Sequence, residues 1–382
     1  MLQKLSSFAG IQGPVVIIVI DGYGLPKSDV GSAIAAARKP TLDRLVAGYP
    51  NIRLRAHGTA VGMPSDDDMG TSEVGHNAIG AGQVYSQGAA LVANAIADGA
   101  IWQGEAWQQI VAGAKAGRGA IHFIGLFSDG NVHSHIDHLK AMVAQAKAEG
   151  VKAVRVHALL DGRDVPETSA LDYVVPFEAF LAGISDAGFD ARIASGGGRQ
   201  NITMDRYDAN WPMVEKGWHT HVLGEGQQFA NATAAVNGLR EQNPGTIDQD
   251  LPPFVIGDNG TAVGTIEDGD SVVFFNFRGD RAIEISRAFE EAGFDRFDRV
   301  RVPKVTYAGM LQYDGDLKLP ARFLVAPPAI KDTMGEWFAR AGITQFACSE
   351  TQKFGHVTYF WNGNRSGKFD GETYQEVPSD VV

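Results

Sequence analysis

IHFIGLFSDG, residues 121–130, joins a continuous apolar run to a polar turn. The run 121–127 is rich in Ile, Phe and Leu, which is typical of a strand that a parallel sheet buries on both faces. Ser128, Asp129 and Gly130 then end the run with residues that favour a turn. Because ligands of open parallel α/β sheets bind beyond the carboxyl ends of the strands, this turn is also a candidate binding position.

Similar apolar runs recur along the chain, and we predict further strands at residues 15–20, 154–160, 191–195, 271–277, 304–310 and 356–361. Helical spacing of apolar residues separates them. It occurs in 139–146, where Gly150 follows as a stop, and again in 282–292 and 334–341. Strands that alternate with helices in this way predict an α/β protein built on parallel sheets.

Two segments rich in glycine, proline and polar residues divide the chain. Residues 80–88 (GAGQVYSQG) form the first, and residues 312–328 contain an Asp-Gly pair and three prolines. A chain of 382 residues is also too long for one comfortable core, which favours two domains. The spacing fits a middle domain inserted into an outer one, although spacing alone does not establish that arrangement.

Composition narrows the class of partner. The net charge of −12 argues against nucleic acid or an anionic membrane as the main partner. No run of about 18 apolar residues occurs, so we expect no membrane span. A single cysteine, Cys348, excludes a disulfide framework and favours a reducing, cytoplasmic location. A small anionic substrate would need a locally basic pocket on this acidic background.

Charged residues follow several of the predicted strands, and the arginines among them are Arg163, Arg199, Arg206, Arg278 and Arg281. Five guanidinium groups at one edge of a sheet could converge on one anion, since Arg holds phosphate and carboxylate through its planar fork. For any single arginine, the alternative is a solvated residue or an ion-pair partner of a nearby Asp. His133 and His135 are two residues apart, which makes a poor metal pair, and one of them could be structural.

The segment MGTSEVGHN, residues 69–77, places Ser72 between glycines just before a predicted helix. A serine there lies at the positive end of the helix, which favours both its alkoxide and an attached phosphate. The alternative is that this serine only caps the helix. Asp21 follows the run 15–20 and has a comparable alternative, because Asp-Gly is an ordinary turn pair.

Six motifs then occur in an order that resembles the cofactor-independent phosphoglycerate mutases, which belong to the alkaline phosphatase superfamily. They are MGTSEVGHNAIGAG (69–82), SDGNVHSH (128–135), DGRDVPETS (161–169), GGGRQNITMDRY (196–207), NFRGDR (276–281) and SETQKFGHVTYFWNG (349–363). The resemblance implies an alkaline-phosphatase-like parallel-sheet domain with an inserted α/β phosphotransferase domain. It divides the chain into 1–86 and 320–382, two parts of the phosphatase-type domain, and 87–312, the inserted substrate-binding domain.

The resemblance also implies an isomerase of glycolysis that interconverts 3-phosphoglycerate and 2-phosphoglycerate through a phosphoserine, using two Mn²⁺ or Mg²⁺ ions. Ser72 resembles the nucleophile, Lys353 the lysine that neutralises charge beside it, and Asp164 the general base. Asp21 and Ser72 resemble metal ligands. The residues that resemble the substrate-holding set are His133, Arg163, Asp164, Arg199, Arg206, Arg278, Arg281 and Lys353. We expect a small-molecule substrate and a monomer. Thr71 stands where Asn is commoner, and Asn131 where Gly is commoner.

One departure from the family concerns its remaining metal ligands, which lie in motifs of the form Asp-x-x-Gly-His and Ala-Asp-His-Gly-Asn. Neither motif occurs here, and the only histidine after Lys353 is His356. We therefore expect an incomplete C-terminal part of the phosphatase-type domain and an impaired activity for these 382 residues alone. Two alternatives stay open: a catalytically silent phosphoglycerate-binding fragment, or another phosphomutase or phosphatase of the superfamily.

Overall fold

A computed structural model of the chain describes residues 2, 5–25, 28–86, 88–206, 208–315, 317–327 and 330–380. The predicted domain limits at residues 1, 87 and 382 lie outside these ranges, as does Tyr207 of the fourth motif. The chain forms two compact units, with 1–61, 70–85 and 330–382 in the first and 62–69 and 86–329 in the second. Among the described helices, none has the length and apolar character needed to cross a bilayer.

The α-helices are α1 (Ala33–Ala36), α2 (Pro40–Gly48), α3 (Ser72–Ala81), α4 (Gly88–Ala97), α5 (Ala100–Gln103), α6 (Glu105–Ala116), α7 (Ile136–Ala148), α8 (Ala170–Ile184), α9 (Trp211–Trp218), α10 (Ala232–Gln242), α11 (Ile283–Glu290), α12 (Met334–Arg340) and α13 (Thr351–Gly355). The strands are β1 (Ala120–Phe127), β2 (Ala153–Leu160), β3 (Asp190–Gly198), β4 (Gln227–Phe229), β5 (Phe254–Asp258), β6 (Thr261–Ala262), β7 (Ser271–Phe274), β8 (Thr306–Gly309), β9 (Gln345–Glu350) and β10 (Glu372–Val377).

The second unit is built on one sheet with the strand order β4-β5-β3-β2-β1-β7-β8, and β6 pairs with β5. The strands β3, β2, β1, β7 and β8 are parallel, whereas β5 runs antiparallel to β3. Almost every residue of β1 is buried, as a strand covered on both faces requires. The predictions of a mixed α/β fold and of strands near 121–127, 154–160, 191–195, 271–277 and 304–310 are therefore confirmed.

One apolar core fills the second unit around this sheet. Its largest fully buried side chains include Trp107, Trp218, Phe123 and Phe177, and the helices contribute the remainder. The helix predicted over 139–146 is α7, and its apolar face contributes to this core. A core of this size fixes the carboxyl ends of the central strands, where the predicted ligand-binding residues begin.

The first unit has few buried apolar side chains among its described residues, Val61 and Val74, and a two-stranded parallel sheet of β9 and β10. Helix α3 packs against the turn of π-helix at His356–Phe360. This contact is close because Gly80 has no side chain: a Cβ there would lie 2.0 Å from the carbonyl oxygen of Trp361. The rings of His76 and His356 meet edge to face with their centroids 5.2 Å apart.

The strand predicted at residues 15–20 is wrong for this structure. The segment is described but belongs to no strand, and its side chains are exposed, with Ile18 at 77%. A continuous β-branched run predicts a strand only if neighbouring strands supply hydrogen bonds on its edges. No described strand pairs with this segment. The apolar composition of the run is therefore not sufficient to form the predicted strand.

The strand predicted at 356–361 is also wrong. Residues His356–Phe360 form a turn of π-helix that continues α13, and Trp361 N–H donates to the carbonyl of His356 at 3.2 Å. The Thr358 hydroxyl donates to the Phe354 carbonyl at 2.7 Å. Local hydrogen bonds therefore satisfy the backbone here, and they outweigh the strand preference of the aromatic and β-branched residues.

Candidate functional site

Ser72 is the first residue of α3, the end of the helix at which backbone N–H groups lack partners. Thr71 precedes it as the N-cap, and its Oγ1 accepts the N–H of Val74 at 3.4 Å. Lys353 Nζ donates to Ser72 Oγ at 3.1 Å and lies 2.8 Å from Asp21 Oδ2. The Ser72 hydroxyl in turn donates to Asp21 Oδ2. The structure thus brings Asp21, Ser72 and Lys353 together, and we call them the serine group.

The Ser72 oxygen lies between a cation, Lys353, and a carboxylate, Asp21. Burial would raise the pKa of the Asp21 carboxyl, but the hydrogen bonds from Lys353 and Ser72 lower it below its ordinary value. Asp21 is therefore ionised and paired with the Lys353 ammonium at neutral pH. The ammonium and the start of α3 would both stabilise an anionic Ser72 oxygen or a phosphate ester on it. Because Thr71 holds the N-cap position, the alternative of a capping role for Ser72 is wrong.

A divalent metal ion finds only part of a site in the serine group. The Asp21 carboxylate and the Ser72 hydroxyl are oxygen ligands of the kind that Mg²⁺ and Mn²⁺ prefer. The Lys353 ammonium, however, occupies the same carboxylate oxygen. Across the described ranges, no group of three or more His, Cys, Asp or Glu side chains is arranged to hold a metal. These residues do not fit a complete metal site, and the roles assigned below belong to the side chains themselves.

The second unit gathers the predicted substrate-holding residues, except Lys353, at the carboxyl ends of its strands. Arg278 Nε lies 3.1 Å from Asp280 Oδ1, and Arg206 Nη1 lies 3.6 Å from Asp280 Oδ2. His133 joins this carboxylate to the next one: its Nδ1 is 3.6 Å from Asp280 Oδ1 and its Nε2 is 4.0 Å from Asp164 Oδ2. Asp164 accepts a hydrogen bond from the buried Arg199.

Arg281 and Arg163 complete this group. Arg281 is buried and donates from Nη1 to the Met204 carbonyl. Burial and the charge of Arg206 lower the pKa of Arg281 to about 10, and the charge of Arg163 also contributes. Arg163 itself is exposed. We call the set of His133, Arg163, Asp164, Arg199, Arg206, Arg278 and Arg281 the arginine cluster.

The arginine cluster is arranged for an anion. Arg199 pairs with Asp161 and Asp164, and Arg206 and Arg278 lie beside Asp280. Five guanidinium groups against these three carboxylates leave an excess of positive charge. Burial, and then the charges of neighbouring arginines, hold the pKa of His133 well below its ordinary value, so this imidazole is neutral. Among the described residues, His133 Nδ1 and Arg199 Nε are buried without a hydrogen-bond partner. Buried polar atoms left without partners on an electropositive cluster indicate a ligand that completes them.

His135 has a structural role, which agrees with the alternative that one of the two histidines is structural. It is the N-cap of α7, and its Nδ1 accepts the Asp137 N–H at 3.2 Å. The two departures from the family motifs are also explained. Thr71 caps α3 as Asn would. Asn131 has a φ of 55°, a conformation that Asn tolerates better than other non-glycine residues.

Three residues that organise the arginine cluster, Ser128, Asp161 and Asp280, were not predicted as site residues. Asp161 accepts hydrogen bonds from Ser128 Oγ at 2.6 Å and Arg199 Nη1 at 3.0 Å, and its Oδ1 also accepts the backbone N–H groups of Arg163 and Asp164. Asp280 lies between the arginines described above. All three directly follow predicted strands or occur within the quoted motifs, so the rule about strand ends could have included them.

A buried carboxyl group, that of Glu284, lies three residues after Arg281 of the arginine cluster. Glu284 of α11 is 3% exposed, and its Oε1 accepts the Asp208 N–H at 2.9 Å. Burial raises the pKa of Glu284 to about 8, and the carboxylate of Asp205 raises it further against the effect of that hydrogen bond. Glu284 is therefore mainly protonated in the folded chain at pH 7.

This protonation makes stability depend on pH. The folded chain keeps a proton on Glu284 that the unfolded chain releases near pH 4.5, the ordinary pKa of a glutamate. The contribution to the free energy of unfolding is complete below pH 4.5 and is lost as pH rises towards 8, by up to about 1.4 kcal/mol per pH unit. Glu284→Gln should flatten this dependence in urea unfolding between pH 5 and 8. Glu241→Gln, on the exposed face of α10, should keep it, and equal slopes in both variants would contradict the assignment.

Comparisons with known proteins agree with this geometry. Residues 92–315 match the family model described as the BPG-independent PGAM N-terminus. A Leptospira interrogans protein named "Probable 2,3-bisphosphoglycerate-independent phosphoglycerate mutase" is 60% identical over 96% of this chain and 68% of its own length. The Trypanosoma brucei brucei 2,3-bisphosphoglycerate-independent phosphoglycerate mutase is 52% identical over 96% of this chain and 68% of its own length.

A solved structure gives the same result. The crystal structure of Leishmania mexicana phosphoglycerate mutase at low cobalt concentration has a TM-score of 0.86 and 52% identity, and the match covers 91% of this chain and 64% of that one. The chain thus spans about two-thirds of the length of these relatives. Neither a silent binding fragment nor another phosphomutase or phosphatase is favoured by these names. With identity this high along nearly the whole chain, the protein belongs to the 2,3-bisphosphoglycerate-independent phosphoglycerate mutases, a metal-dependent family that interconverts 3-phosphoglycerate and 2-phosphoglycerate.

Proposed function

We propose that this protein interconverts 3-phosphoglycerate and 2-phosphoglycerate through a phosphoserine at Ser72. The observation that carries the proposal is the arginine cluster, in which guanidinium groups from three segments surround a neutral histidine and leave buried donors for a ligand. A phosphoglycerate brings a carboxylate and a phosphate, the two groups that Arg binds through paired hydrogen bonds.

The serine group takes the phosphoryl-transfer step in this proposal. Ser72 Oγ attacks phosphorus, the bond from phosphorus to the glycerate oxygen breaks, and the phosphoryl group becomes an ester of Ser72. Asp21, ionised and hydrogen-bonded to the Ser72 hydroxyl, is placed to hold the proton that leaves it. Lys353 stabilises the negative charge that develops on the same oxygen.

In this proposal the arginine cluster retains glycerate between the two transfers. Its guanidinium groups would hold the glycerate carboxylate while the molecule presents its other hydroxyl, which keeps the second transfer intramolecular. Asp164 is proposed as the general base for that hydroxyl, and the neutral His133 beside it supplies one donor and one acceptor. The proton of that hydroxyl passes through Asp164 to the glycerate oxygen that the first transfer left as an alkoxide. The hydroxyl oxygen attacks the phosphoserine, the bond from phosphorus to Ser72 Oγ breaks, Ser72 regains its proton from Asp21, and the isomer is released.

We also propose the domain limits, the metal, the oligomeric state and the location of the protein. We assign residues 87–312 to an inserted substrate domain and 1–86 with 320–382 to a phosphatase-type domain. Mn²⁺ or Mg²⁺ would serve as the metal, with Asp21 and Ser72 among its oxygen ligands, because both ions prefer oxygen. We propose a monomer and a cytoplasmic location, and the free Cys348 supports the location.

Substrate binding gives the direct test. Arg278→Ala should weaken 3-phosphoglycerate binding about 10- to 150-fold, since it removes a charged hydrogen-bond donor worth about 1.5–3 kcal/mol. Isothermal titration calorimetry measures the dissociation constant of each variant. Arg322→Ala is the matched control, because this exposed arginine donates to Gln109 Oε1 at 2.7 Å away from the cluster. Its affinity should stay within about twofold of the wild type. Equal binding by Arg278→Ala and the wild type would contradict the assignment of the site.

A further inference from the structure

A continuous chain of buried polar side chains crosses the sheet of the second unit, and the catalytic roles proposed above use none of it. Its members are Asp270, His122, His157, Ser195, His221 and Thr203, joined by successive hydrogen bonds of 2.7–3.2 Å. All six are at most 2% exposed. A buried polar network of this kind is stable only if every donor meets an acceptor, so its hydrogen bonds can be assigned a direction.

The direction follows from Asp270, whose carboxylate only accepts hydrogen bonds. Asp270 Oδ2 also accepts the N–H of Glu267 at 2.9 Å. His122 must therefore donate to Asp270 from Nε2, which leaves its Nδ1 to accept from His157 Nε2. His157 Nδ1 then accepts from the Ser195 hydroxyl. Burial lowers the pKa values of His122 and His157, so each ring is neutral and has one donor and one acceptor.

The remaining two hydrogen bonds are fixed in the same way. The Ser195 hydroxyl uses its one proton in the hydrogen bond to His157, so Ser195 Oγ is the acceptor for His221 Nδ1 at 2.8 Å. Burial lowers the pKa of His221 to about 3, and its Nε2 is the acceptor for the Thr203 hydroxyl at 3.0 Å. His221 is therefore protonated on Nδ1, whereas His122 and His157 are protonated on Nε2. Every hydrogen bond of the chain therefore points from Thr203, the first donor, towards Asp270, the last acceptor.

Thr203 has an unusual backbone, with a φ of 67°. For a β-branched residue this left-handed conformation is a genuine outlier that persists only where the surroundings hold it. The hydrogen bond to His221 holds the side chain, and Thr203 N–H donates to the Met213 carbonyl at 2.9 Å. Gly217 leaves the necessary space, since a Cβ there would lie 2.0 Å from Thr203 Oγ1. Strained residues of this kind cluster at functional sites.

The residue that follows this outlier contacts the arginine cluster. The carbonyl of Met204 accepts a hydrogen bond from Arg281 Nη1. We propose that His221 and Thr203 are positioning residues for Arg281: the buried chain holds Thr203 in its left-handed conformation and so aims the Met204 carbonyl at the Arg281 guanidinium. The inference rests on the proposed function, in which Arg281 binds the substrate.

A double-mutant cycle tests this coupling by calorimetric titration of 3-phosphoglycerate. Thr203→Val keeps the β-branched shape and removes the hydroxyl, and it should weaken binding about 5- to 30-fold. In the Arg281→Ala background the same change should have less than about a twofold further effect, because the group that it positions is gone. Thr203→Ser, which retains the hydroxyl, should bind within about twofold of the wild type.

Each other outcome overturns the proposal. Losses that multiply in the double variant would mean that Thr203 acts on the fold and not through Arg281. Normal binding by Thr203→Val beside weak binding by Arg281→Ala would remove His221 and Thr203 from the site while leaving the proposed function intact. A wild-type protein that does not bind 3-phosphoglycerate would overturn the proposed function and this inference together.

A second measurement uses the wild-type protein and is independent of whether a variant folds. Imidazole ¹⁵N chemical shifts report which ring nitrogen carries the proton. The expected result is a proton on Nδ1 of His221 and on Nε2 of His122 and His157. A proton on Nε2 of His221 would leave the single Ser195 proton to two acceptor nitrogens, His157 Nδ1 and His221 Nδ1. The chain would then be broken between Ser195 and His221, and the proposal would be overturned.

Discussion

Replacing Ser72 with alanine is expected to lower the rate of the mutase reaction by roughly four powers of ten or more. No other group of the serine group can take its place: Lys353 is a cation, and Asp21 is held by hydrogen bonds from both partners. The rate is measured with a coupled assay on the protein produced from its natural reading frame, with Mn²⁺ added. Affinity for 3-phosphoglycerate should change far less than the rate, since the arginine cluster is untouched.

Ser32→Ala is the matched control for this loss. Ser32, like Ser72, is a half-buried serine at a helix start in the first unit, and its Oγ accepts the Ala35 N–H at 3.2 Å. Its replacement should weaken α1 by about 1 kcal/mol or less and leave the mutase rate within about twofold. If Ser72→Ala retained more than about a tenth of the wild-type rate, a phosphoserine at this position would be excluded as the main route.

Replacing Arg199 with alanine is expected to have the largest effect on stability and to abolish substrate binding as well. The Arg199 side chain is 1% exposed and pairs with Asp161 and Asp164. Its removal leaves two carboxylates in the interior without their cation, which costs about 3–5 kcal/mol of the free energy of unfolding. The affinity for 3-phosphoglycerate should fall by more than about 100-fold, because Asp164 also loses its partner.

Urea unfolding and calorimetric titration measure these two effects separately. Arg192→Ala is the control, because Arg192 lies on β3, the strand that Arg199 directly follows, and its side chain is 47% exposed and pairs with Asp190. That change should cost less than about 0.5 kcal/mol and leave affinity unaltered. Arg199→Lys keeps the charge without the planar fork and should lie between the two. An Arg199→Ala protein as stable as Arg192→Ala would contradict the inference of a buried, charge-compensating role.

The central strands of the second unit could be predicted because their environment is uniform. A strand buried on both faces, such as β1, needs a continuous apolar run, and few other structures produce one of that length. The short strands β4 and β6 were missed, since Gln227–Phe229 and Thr261–Ala262 are too brief to have a pattern of their own. Their pairing with β5 depends on tertiary contacts that a local pattern does not contain.

The two incorrect strands failed for different physical reasons. The run 15–20 has the composition of a buried strand, but composition cannot state which strands will pair with it. Residues 356–361 are rich in aromatic and β-branched residues, yet local hydrogen bonds and packing on Gly80 favour a helical turn. Strand propensity is a property of the surroundings more than of the backbone, and both errors follow from that dependence.

The candidate site was predictable where one rule applied to several strands at once. The arginine cluster followed from the carboxyl ends of parallel strands, and the structure brings its members together. Asp161 and Asp280 were missed because an anionic ligand predicts only cationic side chains. The carboxylates that hold those arginines in place do not contact the ligand and are not predicted by it. Glu284 and the polar chain ending at Thr203 had no local signal, since they depend on burial and on contacts distant in sequence.

One measurement tests the central proposal most directly. The protein from its natural reading frame is mixed with [³²P]3-phosphoglycerate and Mn²⁺, quenched in acid within milliseconds, digested and mapped by mass spectrometry. The expected result is phosphate on a single peptide, at Ser72, with no label in the Ser72→Ala protein. Turnover of 3-phosphoglycerate without phosphate on Ser72, or with phosphate on another residue, would contradict the phosphoserine route.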